Sequence, residues 1–485
     1  MSVLRSLYRP SLALLTDLYQ ITMAYGYWKN QMANHEAVFN LFFRKNPFKG
    51  GYAIAAGLEQ AAELIQRARF DTSDLDYLAT LKGNDNEPLF EDAFLRYLQE
   101  SPNAIHLDAV PEGSVVFPHE PLLRLRGPII PCQLLETPLL TMVNFQTLIA
   151  TKSSRICRAA QGDLVLEFGL RRAQGIDGGL SASRAAFIGG CHATSNVQAG
   201  KLFDIPVKGT HAHAWVMMFP SELDSFSAYA KAMQNNCIFL VDTYDTVQGV
   251  HNAVKIGRTL REKGHQMVGV RLDSGDMADL SKKARVILDE GGFPDAKIVA
   301  SDSLDERKIA ALKEAGALIQ VWGVGTNMVT AKDQPALGGV YKLAAVRAPG
   351  EDWQYKVKLS NTPIKVSNPG ILQIRRFTDE KGLFLGDVLY DEDMGLSENP
   401  RAHSLTKAGF ELSLSGSYTE LLQPILRDGN PVWSPPSLAD IRERAQRELD
   451  HLPSQLRAFN VDEPYFVGLK GQVNTLKNTL IAGAK

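Results

Sequence analysis

The stretch MVGVRLDSGDMADLSKKARVILDEGGFPDAKIVASDS, residues 267–303, decides how this chain folds. MVGVRLDS and KIVASDS, at its two ends, are short apolar runs of the kind that form buried strands. Between them, MADLSKKARVILDEGG carries apolar residues at three-to-four spacing, as a helix packed on a sheet does. Asp276 stands just before it in the position of a helix N-cap. The two runs start about 30 residues apart, the length of a βαβ unit.

The same rhythm extends in both directions. Strand-like runs recur at LVLEFG (164–169), IPVKGTHA (205–212), CIFLVDTY (237–244), LIQVWGVGT (318–326) and VYKLAAV (340–346). Amphipathic stretches such as ELDSFSAYAKAMQNN, TVQGVHNAVKIGRTLREKG and LDERKIAALKEAG separate them. Seven such runs predict an α/β fold, either a parallel barrel or a doubly wound sheet. Small and polar residues collect where the runs end, at Phe168-Gly169, Gly209-Thr210, Asp242-Thr243, Arg271 to Asp276, Ser301-Asp302 and Gly323 to Thr326. In a parallel sheet those ends share one rim, which is where an active site is expected.

The flanks read differently. Residues 13–30 look helical, AVFNLFFRKN (37–46) alternates like a strand, and 104–130 is β-like and punctuated by Pro and Gly. A long helical stretch, 134–160, leads into the first run. After 350 come the strand-like segments YKVKLS, ILQIRRF and LFLGDVLY, and helices from 436. The expected domains are 1–135 (α+β), 136–346 (α/β barrel) and 347–485, the last packing with the first.

Bulk properties narrow the function. The chain has 485 residues, 22% of them charged, and a formal net charge of −2, with no charge run of the sort nucleic-acid binders carry. No apolar run reaches a membrane span, and MSVLRSLYRPSL at the start lacks a signal-peptide core. The four cysteines form no C-x-x-C, which suggests reduced thiols in a cytoplasmic protein.

Each motif has a functional and a bland reading. In GVRLDSGD (269–276), Asp273 and Asp276 bracket a glycine turn and could bind sugar hydroxyls or hydrated magnesium, or simply cap a helix. VASDSLDE (299–306) and VWGVGTNM (321–328) are turns that bring backbone N–H groups to phosphate, or ordinary α/β loops. EFGLRRAQG (167–175) offers an aromatic ring for stacking and arginines for an anion. GTHAHAW (209–215) places two histidines one residue apart, which on a strand would point them the same way. A metal pair, a nucleophile and a core histidine are all open to it, the core reading being the weakest because both sit beside Gly-Thr at the expected rim. The later strand ends carry no histidine, which disfavours zinc.

Together these stretches resemble the nicotinate phosphoribosyltransferase family. The resemblance rests on LLTDLYQITMAYGYW (14–28), NLFFRKNPFKGGYAIAAGL (40–58), EFGLRRAQGIDGG (167–179), KGTHAHAW (208–215), GVRLDSGD and GVGTNMVT…PALGGVYKL (323–343). It implies an irregular TIM-like α/β barrel with a flanking α+β domain built from the N- and C-terminal segments. It also implies a homodimer with shared active sites. The implied reaction joins nicotinate to phosphoribosyl pyrophosphate, with magnesium carried on the phosphates and ATP hydrolysis coupled through a phosphohistidine.

By motif, that histidine is His213. Ala214 follows it where many members carry an acid. Arg271 and Asp273 would line the base and ribose. Phe168 and Tyr19, the latter from the second copy, would sandwich the pyridine. Arg171 would meet substrate charge, and Thr210 would contact nicotinate. Ser301, Asp302, Gly323, Gly325 and Thr326 would hold the 5-phosphate, and Ser367 would touch the phosphoribosyl group. Ser195 stands where an amide-selecting relative can place an acid. The rival readings are a nicotinamide-using phosphoribosyltransferase, a zinc hydrolase on a TIM barrel, and a silent metabolite-binding protein.

Overall fold

A computed structural model describes residues 11–483. The signal-peptide reading of the N-terminus falls mostly on residues 1–10, outside that range. The chain divides into two compact units, one of residues 148–335 and one that joins 1–147 to 336–485.

The middle unit is one sheet of six parallel strands. They are β1 (Leu164–Glu167), β2 (Ala193–Thr194), β3 (Cys237–Leu240), β4 (Met267–Leu272), β5 (Lys297–Ser301) and β6 (Val321–Val324). Their order across the sheet is β2-β1-β6-β5-β4-β3. That is the cyclic order of a barrel, open at a single seam between β2 and β3. The connecting helices are α1 (Gly175–Ile188), α2 (Val197–Phe203), α3 (His213–Met217), α4 (Glu222–Ala232), α5 (Thr246–Glu262), α6 (Met277–Glu290), α7 (Glu306–Glu314) and α8 (Thr326–Val329). Asp276 caps α6, accepting the Ala278 and Asp279 N–H groups, as its position before MADLSKK predicts.

Two expected barrel strands do not form as such. IPVKGTHA reaches the sheet only through one parallel bridge, Thr194 to Val207. Pro206 has no N–H to donate, and the chain leaves the edge after Lys208, whose N–H bonds Thr194 O at 3.0 Å. This is the segment missing from the seam. VYKLAAV lies instead in the other unit, where Val340–Arg347 pairs antiparallel with Glu36–Phe42. An apolar run shows burial but not its partner, so the sequence could not tell these cases apart.

The outer unit interleaves the two ends of the chain. Glu36–Phe42 sits between Val340–Arg347 and Leu123–Pro128 in a seven-stranded antiparallel sheet. A second, six-stranded sheet comes wholly from residues 372–470. Arg376 is buried there against Asp387 (2.7 Å) and Glu448 (3.2 Å), with Glu120 at 3.9 Å. Among the described residues no helix is long and apolar enough to cross a membrane.

Candidate active site

Because the six strands are parallel, their C-terminal ends share one edge. Arg271, the second-last residue of β4, is the hub of that edge. Its Nε donates to Ser301 Oγ at 2.7 Å, Nη1 to Thr210 Oγ1 at 2.9 Å and Nη2 to Asp273 Oδ1 at 2.9 Å. Ser301 Oγ donates in turn to Asp273 Oδ1. Three partners fix the guanidinium plane, and of its five N–H groups two remain for a ligand. The Phe168 ring, just past β1, lies 6.0 Å from the guanidinium carbon. Gly323 of β6 backs that ring so closely that a Cβ would stand 2.7 Å from Phe168 Cδ2.

Asp242 supports the turn that carries Asp273. It accepts the Asp273 N–H at 2.9 Å and the Ser274 hydroxyl. Gly275, at φ 84°, completes the turn in a conformation that suits glycine. His213 opens α3, and its ring is hydrogen-bonded at one nitrogen and faces a carboxylate with the other. Nδ1 lies 3.0 Å from Thr243 Oγ1 and Nε2 lies 3.7 Å from Asp273 Oδ2. Asp273 thus faces Arg271 with one oxygen and His213 with the other. With Ala214 in the neighbouring position, the carboxylate near this histidine comes from the turn just past β4.

His211 corrects the expectation that the pair shares one rim-facing strand. Its ring is 7% exposed and packs on Tyr229 at 4.8 Å. Its Nε2 accepts the Leu240 N–H at 3.3 Å, an edge group of β3 that the missing strand would have bonded. Burial pushes this imidazole down to about 4, so it stays neutral. It is a core histidine that plugs the seam.

The other expected residues of this unit lie at the same edge with fewer links. Arg171 is exposed in the turn Leu170–Arg172. Ser195 N–H bonds Glu167 O at 2.9 Å. Asp302 accepts from Lys308 Nζ through its backbone and side-chain oxygens at 2.9 and 3.2 Å. Gly325 precedes α8 and Thr326 begins it. Thr243, placed on the rim by sequence but given no role, partners His213. The sequence reading of the site missed Glu167, whose buried carboxylate accepts the Gly169 N–H and the Ser183 and Thr194 hydroxyls. An acid interrupting the apolar LVLEFG was the available signal for Glu167.

Tyr19 and Ser367 belong to the outer unit. Tyr19 is 49% exposed, among exposed Leu15, Leu18 and Met23 near or on the helix Leu18–Lys29. Ser367 is buried and accepts the Lys358 N–H at 2.9 Å. Near it the unit gathers cations. Burial, then Arg44 and Lys358, push the Lys342 ammonium down, against Glu136 at 3.8 Å.

Residues 14–144 match the nicotinate phosphoribosyltransferase (NAPRTase) N-terminal domain, 164–355 the NAPRTase family and 372–477 its C-terminal domain. A nicotinate phosphoribosyltransferase of Bacillus subtilis is 42% identical over 464 residues, covering 95% of this chain and 93% of that protein. The chain belongs to the nicotinate phosphoribosyltransferase family. A Caenorhabditis elegans nicotinate phosphoribosyltransferase is 36% identical, over 96% of this chain and 93% of that protein. The crystal structure of human nicotinic acid phosphoribosyltransferase superposes with a TM-score of 0.85 at 32% identity, covering 96% of this chain and 99% of that one. The family match identifies the chain as an enzyme of pyridine nucleotide synthesis.

Proposed function

We propose that this chain transfers the phosphoribosyl group of phosphoribosyl pyrophosphate to nicotinate, in NAD salvage, with ATP hydrolysis coupled through His213. The observation that carries the reading is the hub of Arg271, Thr210, Asp273 and Ser301 beside an accessible His213, in a chain of this family.

In the transfer, the anomeric carbon–oxygen bond to pyrophosphate breaks and a bond from the pyridine nitrogen forms. The transition state resembles an oxocarbenium ion and needs little proton transfer, so positioning and charge dominate. Phe168 supplies one face for the pyridine. The free N–H groups of Arg271 and the rim at Ser301 to Thr326 address the substrate's anionic groups. Asp273 faces the ribose. Asp242 and Asp273 are hard oxygen donors, and Asp242 Oδ1 is buried without a partner, which suits magnesium brought in on the substrate's phosphates. That ion offsets charge on the leaving pyrophosphate.

For ATP coupling, an imidazole nitrogen of His213 bonds the γ-phosphorus as the bond to the bridging oxygen breaks and ADP leaves. The phosphoryl group then passes to water. Thr243 and Asp273 hold the ring for this step. The zinc reading loses its ligand pair, since His211 is turned into the core.

The active form is a homodimer with shared sites. Exposed apolar side chains support it on both units: Leu15, Leu18, Tyr19 and Met23 on one, and Ile176, Val197, Leu202, Met217 and Met218 on the other. Tyr19 of one copy serves the rim of the other.

Selectivity for the acid follows from charge. Ser195 brings no negative charge, and Arg271 donates to the carboxylate. One charge-assisted hydrogen bond nets about 1.5–3 kcal/mol, or roughly 10- to 150-fold. The test measures pyrophosphate release with nicotinate, nicotinamide and quinolinate side by side, for the native chain and Ser195→Asp, together with acid-labile labelling from ATP. Equal use of nicotinate and nicotinamide by the native chain refutes the acid-specific reading. Absence of acid-labile label refutes the coupling.

A further inference from the structure

Glu167 is the last residue of β1 and the one acid in LVLEFG. It is 1% exposed. A buried carboxylate is costly unless donors surround it, and an apolar residue would complete this strand without that cost. Here three neutral donors meet it. The Gly169 N–H bonds one oxygen, Oε1, closing a loop around Phe168. The Ser183 and Thr194 hydroxyls bond the other, Oε2, at 2.8 and 2.5 Å. Ser183 stands on α1, and Thr194 ends β2.

The network continues around Ser195. The Glu167 backbone carbonyl accepts the Ser195 N–H at 2.9 Å. The Thr194 hydroxyl oxygen accepts the Asn196 N–H at 3.0 Å. Asn196 Nδ2 donates to Ser183 Oγ at 3.2 Å, and its Oδ1 accepts the Ala199 N–H at 3.2 Å, capping α2. Ser183, Thr194 and Asn196 are each 1% exposed, so no water competes for these bonds. Ser195 is therefore held through residues 194, 195 and 196, and Phe168 through residues 167 and 169. Phe168 and Ser195 are the side chains that the reading above gives to the pyridine ring and its substituent.

We propose that Glu167 is a positioning residue for nicotinate. Its carboxylate locks the turn at Phe168-Gly169 to the turn at Thr194 to Asn196, so that the stacking ring and Ser195 keep a fixed separation. This rests on the phosphoribosyl-transfer reading above and adds to it a residue too buried to meet the substrate itself.

The rim residues that face phosphate are tied by other bonds. Ser301 is bonded to Arg271 and Asp273, and Asp302 to Lys308. Loosening the Glu167 network therefore bears on nicotinate and leaves phosphoribosyl pyrophosphate in place.

The test is the pair of KM values, each measured at saturating co-substrate. Glu167→Gln keeps the shape but replaces one oxygen by an amide nitrogen that cannot accept, so three donors converge on one acceptor. It is expected to raise KM for nicotinate roughly 10- to 100-fold, as a misplacement of about 1 Å does, and to leave KM for phosphoribosyl pyrophosphate within about twofold. Thr194→Val removes one donor to Glu167 and the acceptor of the Asn196 N–H, and is expected to raise KM for nicotinate alone, by roughly 3- to 10-fold. An equal rise in both KM values marks a general loss of the edge and overturns the proposal. So does a native KM for nicotinate in Glu167→Gln. If Glu167→Gln fails to fold, Thr194→Val decides by the same two constants. Nicotinate affinity is also read without turnover, by ligand-observed NMR on the full-length protein. Nicotinate bound by the native chain and lost from Glu167→Gln, with no nicotinate mononucleotide formed by either, refutes the transfer reading and not this one.

Discussion

Gly323→Ala isolates the contribution of the Phe168 ring. The added Cβ would stand 2.7 and 2.8 Å from Phe168 Cδ2 and Cε2. Carbon atoms rest at about 3.5–4 Å, so the ring must retreat by roughly 1 Å. The backbone cannot yield, because the Phe168 N–H is tied to Val324 O at 2.8 Å. The displacement therefore falls on the side chain that faces Arg271. A 1 Å misplacement near bound substrate costs on the order of 10²-fold in rate. Overpacking costs about 1–3 kcal/mol of stability. The variant is expected to fold, melt a few degrees lower, and lose roughly 10- to 100-fold in kcat/KM for nicotinate. Adding Phe168→Leu relieves the clash, so stability returns and activity does not. The assays are thermal melting and initial rates of pyrophosphate release at varied nicotinate. Native kcat/KM in Gly323→Ala would refute a role for this ring in holding the substrate.

The two histidines should separate by phenotype. His213→Asn abolishes ATP stimulation and leaves a slow, ATP-independent transfer. His211→Ala keeps stimulation and costs about 1–3 kcal/mol of stability, since it strands the Leu240 N–H, as denaturant melts would show. Mixing Tyr19→Ala with Asp273→Ala chains after dissociation restores part of the activity if sites are shared; proven exchange without recovery argues against it. Burial, then the neighbouring Asp387, hold the Glu120 carboxyl well above the usual range, so the folded state keeps its proton. Its contribution is fully present below the unfolded carboxyl's pKa and is lost as pH rises toward the folded value. Glu120→Gln should therefore gain melting temperature over the native chain as pH increases from 5 to 9. A constant difference would show that Glu120 is ionised in the fold.

The barrel was legible where periodicity and length agreed. β3 to β6 and α5 to α7 fall within the runs read from sequence, because a strand buried on both faces and a helix with one apolar face leave distinct patterns. The rim was legible for the same reason, since polar residues that end apolar runs mark the edge. What remained hidden was partnership. Val340–Arg347 looks like any buried strand, and its partner Glu36–Phe42 lies about 300 residues earlier. The resemblance set His213 apart from His211, but periodicity alone did not, and the failure of the seam strand is what sends one inward and the other to the rim. Thr243 was marked by its place on the rim, but its partner His213 shows only when the fold brings α3 over it.

The seam also decides how the site can move. A closed barrel has no free edge, and opening it means breaking a ladder. Here residues 207–213, which bear Thr210 and His213, take the place of a strand and meet β2 through one bridge, β3 through an imidazole and β4 through the Thr210 hydroxyl, with no ladder on either side. Such a segment can detach at a cost well below that of global unfolding, while the ladder around β4 stays zipped. Amide hydrogen exchange at Leu240 should accordingly run ahead of exchange at Val270 and Ala300. The histidine that would carry phosphate thus rides on the stretch of the barrel held by side chains rather than by a ladder, and the arginine that would hold the base sits within the ladder.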